Sequence, residues 1–255
     1  MLEISHFNLE ALLPFIGVGF AAQLVDGALG MAFGVISNTL LVAVLGVPPA
    51  LASQRVHIVE CFTTAVSGIS HLLHGNIDKR LFFRLLIPGL IGGVLGAYVL
   101  TSIDAAVVKP YVLIYLSAIG IYLLWRGLFY RPKLREARLI APLGLFGGFL
   151  DAVGGGGWGP VVTSNLLIQG ADPRKVVGTV NSVEFFLTLA VSAAFIWNLG
   201  IADVADATLG LLIGGLLAAP AGAWVAKHFD PKVMLILVGV VLTLTSLYGA
   251  YRAWS

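Results

Sequence analysis

The chain has 255 residues, of which 58% are hydrophobic and 11% charged, and its mean hydropathy is +0.97; soluble domains carry about 25% charged residues. That composition excludes an ordinary soluble fold and divides the chain among membrane segments of about 20 apolar residues each. The formal charge of +2 says little about partners; the one dense basic run, "RGLFYRPKLREAR" at 126–138, reads as a cytoplasmic loop obeying the positive-inside rule rather than as a site for acidic lipid or nucleic acid, so nucleic-acid binding drops out.

In chain order, "MLEISHFNLEALLPF" carries glutamates but no Lys or Arg before its apolar run, so it lacks the basic start of a cleaved signal peptide and is expected to stay in the mature chain. Apolar segments then fall at about 9–45, 50–73, 82–101, 107–128, 139–168, 174–198, 206–226 and 232–251. The expected fold is all-α and polytopic: eight hydrophobic segments in two four-segment repeats, 1–130 and 139–255, joined by the basic loop 126–138. Cys61 has no partner within the chain, so no disulfide or cysteine-based metal site is expected; it reads as a small core residue.

The two halves resemble each other. "AAQLVDGALGMAFG" (21–34) aligns with "FGGFLDAVGGGGWG" (146–159), pairing Asp26 with Asp151, Gly30 with Gly155 and Gly34 with Gly159. After a one-residue gap, "PALASQRVHIVECFTT" (49–64) meets "PRKVVGTVNSVEFFLT" (173–188), which pairs His57 with Asn181 and Glu60 with Glu184. Farther on, "GLIGGVLGAYV" (89–99) meets "GLLAAPAGAWV" (215–225), and Asp104 meets Asp230.

Segments 1 and 5 are the odd members of each half. A continuous helix over 9–45 would be about 55 Å long at about 1.5 Å per residue, too long for a hydrocarbon core of about 30 Å. Its middle holds Asp26, Gly27 and Gly30, and its counterpart holds Asp151 and Gly154 to Gly157. Both are expected to be broken or re-entrant, which a bilayer tolerates where protein or a cavity surrounds the backbone. Basic charge gives an independent test. Eight full crossings would distribute the 15 Lys and Arg nine against six, whereas re-entrant segments 1 and 5 leave Arg55, Lys109 and Arg252 on one side and the other twelve opposite. The second distribution obeys the positive-inside rule, so the repeats are expected to be inverted, with both termini outside the cytoplasm.

Several residues could carry chemistry. Discontinuous helices at matching places in two halves point to a transport site, and a half-helix beginning near Trp158 to Pro160 presents backbone N–H groups to an anion. The alternative for such glycines is close helix packing, preferred at 89–96 and 214–222. Asp26 and Asp151 either meet a proton, cation or substrate, or accept hydrogen bonds from backbone freed at their own helix breaks. Ser53, His57, Glu60, Thr64, Ser67, His71 and His74 form one helical stripe, and Asn181, Glu184, Thr188 and Ser192 another, each facing the bundle or a watery cavity. His57 and Glu60 at i, i+3 could relay protons. Arg55 either meets an anion or snorkels to headgroups. His71 and His74 lack the companions of a zinc site, no Walker motif is present, and no nucleophile–base pair is evident. The chain therefore reads as neither an enzyme nor a cofactor binder.

On "QLVDGALGMAFG", "GFLDAVGGGGWGPVVTSNLL", "VNSVEFF" and the four-plus-four arrangement, nearly the whole sequence resembles the TauE/SafE family of sulfite-exporter-like permeases. That resemblance implies secondary transport of small sulfur-containing or organic anions, and it points to Asp26 and its following glycines, to Asp151 with Gly154 to Gly157, and to His57, Glu60, Asn181 and Glu184. Together these readings give an expected substrate site of Asp26, Gly27, Gly30, Ser53, Arg55, His57, Asp151, Gly154, Gly155, Gly156, Gly157, Trp158, Ser164, Thr179 and Asn181, with Glu60 and Glu184 positioning donors or carrying coupling protons. Expected partners are a small anion, the lipid bilayer, a coupling proton or cation and, as an open option, a second copy of the chain. The expected location is a bacterial inner membrane. An anion channel, or a transporter of another small solute, is the alternative function.

Overall fold

The computed structural model describes residues 9–29, 31–129, 138–201, 204–228 and 230–254, and every regular element among them is helical. Helix α1 (Leu9–Leu29) is followed by α2 (Phe33–Thr39), which runs on as a π-helical stretch, Leu40–Val44. Then come α3 (Pro49–Leu73), α4 (Lys79–Ser102) and α5 (Ala105–Phe129). The second half repeats the order: α6 (Ile140–Gly154), a π-helical stretch Gly159–Thr163 continuing into α7 (Ser164–Ile168), then α8 (Pro173–Leu199), α9 (Val204–His228) and α10 (Pro231–Trp254). Among the described residues six helices are long and apolar enough to cross a membrane: α3, α4, α5, α8, α9 and α10. Segments 1 and 5 of the sequence are the interrupted ones. Gly30 and most of the basic loop, 130–137, lie outside the described residues; Gly27 falls within α1, its surroundings outside the description.

Local chemistry explains the boundaries. Asp78 and Asp172 cap α4 and α8, each accepting from the N–H groups two and three residues on, at 2.9 to 3.2 Å. The paired Asp104 and Asp230 do the same service for α5 and α10, accepting from Ala106 N and Lys232 N at 2.8 Å. The second break needs glycine: Gly155 and Gly156 have φ of +64° and +142°, a region that side chains disfavour. At the first break Ala32 takes φ +116° despite its Cβ.

Matching helices of the two halves pack against each other and run antiparallel. Along α3 and α8, Gln54 bonds Gly200, Cys61 meets Ser192, and Ser67 meets Asn181. Along α5 and α10, Tyr111 lies against Trp254, Gly120 against Thr243 and Gly127 against Ile236. The broken segments pack on the opposite half through glycine: α6 on α4 at Gly89, Gly92, Gly93 and Gly96, and α1 on α9 at Gly210 and Gly214. Small residues let the backbones approach closely there, and a Cβ on Gly92 or Gly214 would strike the neighbouring main chain.

The two ends of the second broken segment meet. Arg138 N, before α6, donates to Gln169 Oε1, after α7, at 2.5 Å. The same end holds the 74–78 turn, where Lys175 Nζ donates to Gly75 O at 2.7 Å. In the first broken segment Phe15 lies under the Arg55 guanidinium at 5.7 Å, and Ala43 lies against Gly249.

Candidate functional site

The two breaks meet in the middle of the bundle. Gly34, at the start of α2, lies against Gly156 with no room for a Cβ on either, and Glu60 Oε1 stands beside them. Asp26 and Asp151 have matching jobs there. Asp26 Oδ1 accepts from Phe33 N at 3.2 Å and Asp151 Oδ1 accepts from Trp158 N at 2.8 Å, each seven residues on. Both carboxylates thus hold the first turn of the half-helix that follows them.

Their surroundings differ. Asp151 is buried, and its Oδ2 lies 3.0 Å from His57 Nε2. His57 Nδ1 lies 2.8 Å from the Ser53 carbonyl, which can only accept, while Ser53 Oγ donates to Ala152 O at 2.6 Å. The two ring nitrogens thus face the Ser53 main chain and the Asp151 carboxylate, each within hydrogen-bond distance. His57 is thereby committed to Asp151, and the i, i+3 relay with Glu60 is not the arrangement observed. Asp26, by contrast, is half-buried and faces a cavity of about 690 Å³.

That cavity lies between α3 and α9. Its floor is Asp26, Met31 to Gly34 and Gly156; its walls include Glu60, Ser67, Asn181 and Glu184; and it reaches His71 and Val177 toward the 74–78 end. Among the described residues three carboxylates line it and no lysine or arginine does. Glu60 is 5% exposed, and its Oε2 has no hydrogen-bond partner among the described residues. Asn181 Nδ2 donates to Ser67 Oγ at 3.0 Å.

Of the residues expected in one substrate site, Asp26, Asn181 and Gly156 line the cavity with Glu60 and Glu184. The others take different places. Ser53, His57 and Asp151 form the buried cluster just described, and Thr179 Oγ1 accepts from Asp78 N at 2.8 Å, tying α8 to the 74–78 turn. Arg55 faces Phe15 near the opposite end. Gly154, Gly155 and Gly157 are filled against Tyr115 and Asn38, with Asn38 Nδ2 donating to Gly154 O. Trp158 is wholly buried over Gly89, and its Nε1 donates to Val180 O at 3.2 Å.

Sequence reasoning missed Arg126. Counted with the basic loop, it is instead 8% exposed, and its Nη1 donates to Ser164 Oγ at 2.6 Å. Its signal was position: Arg126 belongs to the last turn of α5, inside the apolar run rather than after it. Tyr115 carried no signal, because an aromatic residue in an apolar span is ordinary.

A model of the family described as "Sulfite exporter TauE/SafE" matches residues 15–249. The chain belongs to the TauE/SafE family. It is 44% identical over 255 residues to the "Probable membrane transporter protein YtnM" of Bacillus subtilis (strain 168), covering 96% of this chain and 85% of that protein. It is 26% identical over 248 residues to a "Probable membrane transporter protein" of Haemophilus influenzae (strain ATCC 51907 / DSM 11121 / KW20 / Rd), covering 91% and 92%. No solved structure matches. This TauE/SafE protein is thus a multi-pass membrane transporter, in a family and beside relatives described as transporters rather than as enzymes.

Proposed function

We propose that this TauE/SafE transporter carries a small sulfur-containing anion, of the sulfite or sulfonate kind, across a bacterial inner membrane by alternating access between two inverted halves. The observation that carries the reading is the cavity at the meeting of the two helix breaks, where secondary transporters built from repeats place their substrate. Inversion is supported by the antiparallel pairing of α3 with α8 and of α5 with α10, since each is a helix beside its own repeat counterpart. The meeting of the two ends of the second broken segment supports it too, and the twelve-to-three division of basic residues favours the 74–78 end as the cytoplasmic one.

Alternating access draws support from unequal packing of matching helix pairs. Between α4 and α8, Gly93 packs on Leu187 and Val191, and Trp158 closes the space beside Gly89. Between their counterparts α9 and α3 lies the cavity, with Phe33 in the place of Trp158. Exchanging the two arrangements moves the opening from the cytoplasmic end to the other.

An anion among three carboxylates must arrive with compensating positive charge. Protons on Glu60 and Glu184 supply it, so the anion and protons move together. The same acidity favours a second reading, transport of a cationic or zwitterionic solute. Thermal unfolding of purified protein separates the two. Sulfite, thiosulfate or methanesulfonate should raise the melting temperature, more so at low pH. Stabilisation by organic cations or neutral solutes, with none by these anions, would overturn the anion reading.

A further inference from the structure

We propose that the face of α9 at Gly215 forms an apolar subsite of the cavity, which takes a ring-sized hydrocarbon group carried by the transported anion. The proposal rests on the anion reading above for the solute's charged head and adds the chemistry of the remainder. A cavity of about 690 Å³ lies in the range that encloses a small organic molecule and far exceeds an inorganic anion such as sulfite. Besides its carboxylates, the wall carries hydrocarbon from Phe33, Leu211, Leu212 and Leu216 around Gly215.

The repeat shows what such a place holds when it is filled. Gly89 and Gly215 are counterparts in "GLIGGVLGAYV" and "GLLAAPAGAWV", and Trp158 and Phe33 are counterparts at the two breaks. On the α4 side a Cβ on Gly89 would stand 2.9 Å from Trp158 Cη2, so the far edge of the indole occupies the space over that glycine. On the α9 side a Cβ on Gly215 would meet nothing among the described residues nearer than the Gln23 side chain at 3.8 Å, and Phe33 does not reach it. The packing expected of the glycines at 214–222 therefore holds at Gly214, whose Cβ would strike Ile16 O, and not at Gly215. The side chain that Gly215 lacks leaves open the space that Trp158 fills in the other half.

Chemistry selects the occupant. The slot corresponds in place to an aromatic ring, the leucines beside it are apolar, and the nearest polar group, the Gln23 amide, is uncharged. Phenylalanine is smaller than tryptophan, so Phe33 alone leaves the α9 side short of the volume that Trp158 supplies beside Gly89. A ring on the solute makes up that difference as this side closes in alternating access, giving the close packing a protein interior requires. Burial of a phenyl group there adds affinity without adding charge.

The test is titration of thermal stability with methanesulfonate, benzenesulfonate and benzyl alcohol for the wild-type chain, Gly215→Leu and Phe33→Trp, the two variants filling the slot from opposite sides. The wild type is expected to bind benzenesulfonate at least roughly tenfold more tightly than methanesulfonate, and that ratio should fall toward about one in both variants. Phe33→Trp locates the slot if Gly215→Leu does not fold, and the wild-type ratio is decisive by itself. A wild-type ratio near one, or a ratio undiminished in a folded variant, overturns the subsite while leaving the anion reading intact. Stabilisation by benzyl alcohol that Gly215→Leu removes, with none by either sulfonate, overturns the anion reading and leaves the subsite standing. No stabilisation of the wild type by any of the three overturns both.

Discussion

Asp151→Ala should destabilise the protein far more than Asp26→Ala, although the two aspartates occupy matching places. Replacing Asp151 removes the acceptor for Trp158 N and the partner of His57 in a cluster with no water access. Hydrogen bonds to a charged group contribute about 1.5 to 3 kcal/mol each, and breaking a buried pair costs about 3 to 5 kcal/mol. Asp26 accepts one described backbone bond at a half-buried position beside the cavity, where water replaces the lost acceptor, so its removal should cost about 1 to 2 kcal/mol. The assay is reversible or scan-rate-controlled unfolding of purified protein in detergent, with His57→Ala and the double variant completing a cycle. A coupling of about 1 to 3 kcal/mol between His57 and Asp151 is expected. Equal costs for Asp26→Ala and Asp151→Ala, or a coupling near zero, would refute the unequal roles read from the geometry.

Three further outcomes follow from the same geometry. Gly34→Ala and Gly156→Ala should each abolish folded protein or lower its melting temperature sharply, because the new Cβ meets the backbone of the other break; recovery of stable protein from size-exclusion chromatography would contradict this. Trp158→Ala should loosen α4 from α8, raising solvent accessibility at Leu187 and Val191 in hydrogen exchange of the α8 backbone, and unchanged protection there would count against Trp158 as the closure of that side. Single cysteines placed at 76 and 171 in a Cys61→Ser background should label from the same membrane face, with 46 and 104 labelling from the opposite one; 76 and 171 on different faces would exclude inverted halves.

Much of the architecture was legible because a bilayer leaves the chain few options. Hydropathy placed the segments, and the conflict between a 9–45 run and the thickness of a membrane called for an interruption there, although α1 runs on through Asp26 to Leu29 and the described break follows at Met31 and Ala32. The ordered carboxylates of the two halves turned out to share tasks: Asp26 and Asp151 hold half-helices, while Asp104 and Asp230 cap full ones. The site was less legible, and the reason is asymmetry. Repeat alignment treats His57 and Asn181 as equals, yet one is locked to Asp151 while the other faces the cavity. A sequence shared between two halves carries no mark of which half is open. Arg126 was hidden for a different reason, since charge near a segment end normally snorkels to the surface and this one points inward toward Ser164.

Coupled anion transport is tested most directly by sulfite counterflow and proton-driven uptake in proteoliposomes containing the wild-type chain, Glu60→Gln or Glu184→Gln. Saturable counterflow is predicted for all three, with uptake driven by an inward proton gradient in the wild type and lost in both glutamine variants. Non-saturating flux, or proton-driven accumulation that survives in both variants, would contradict it.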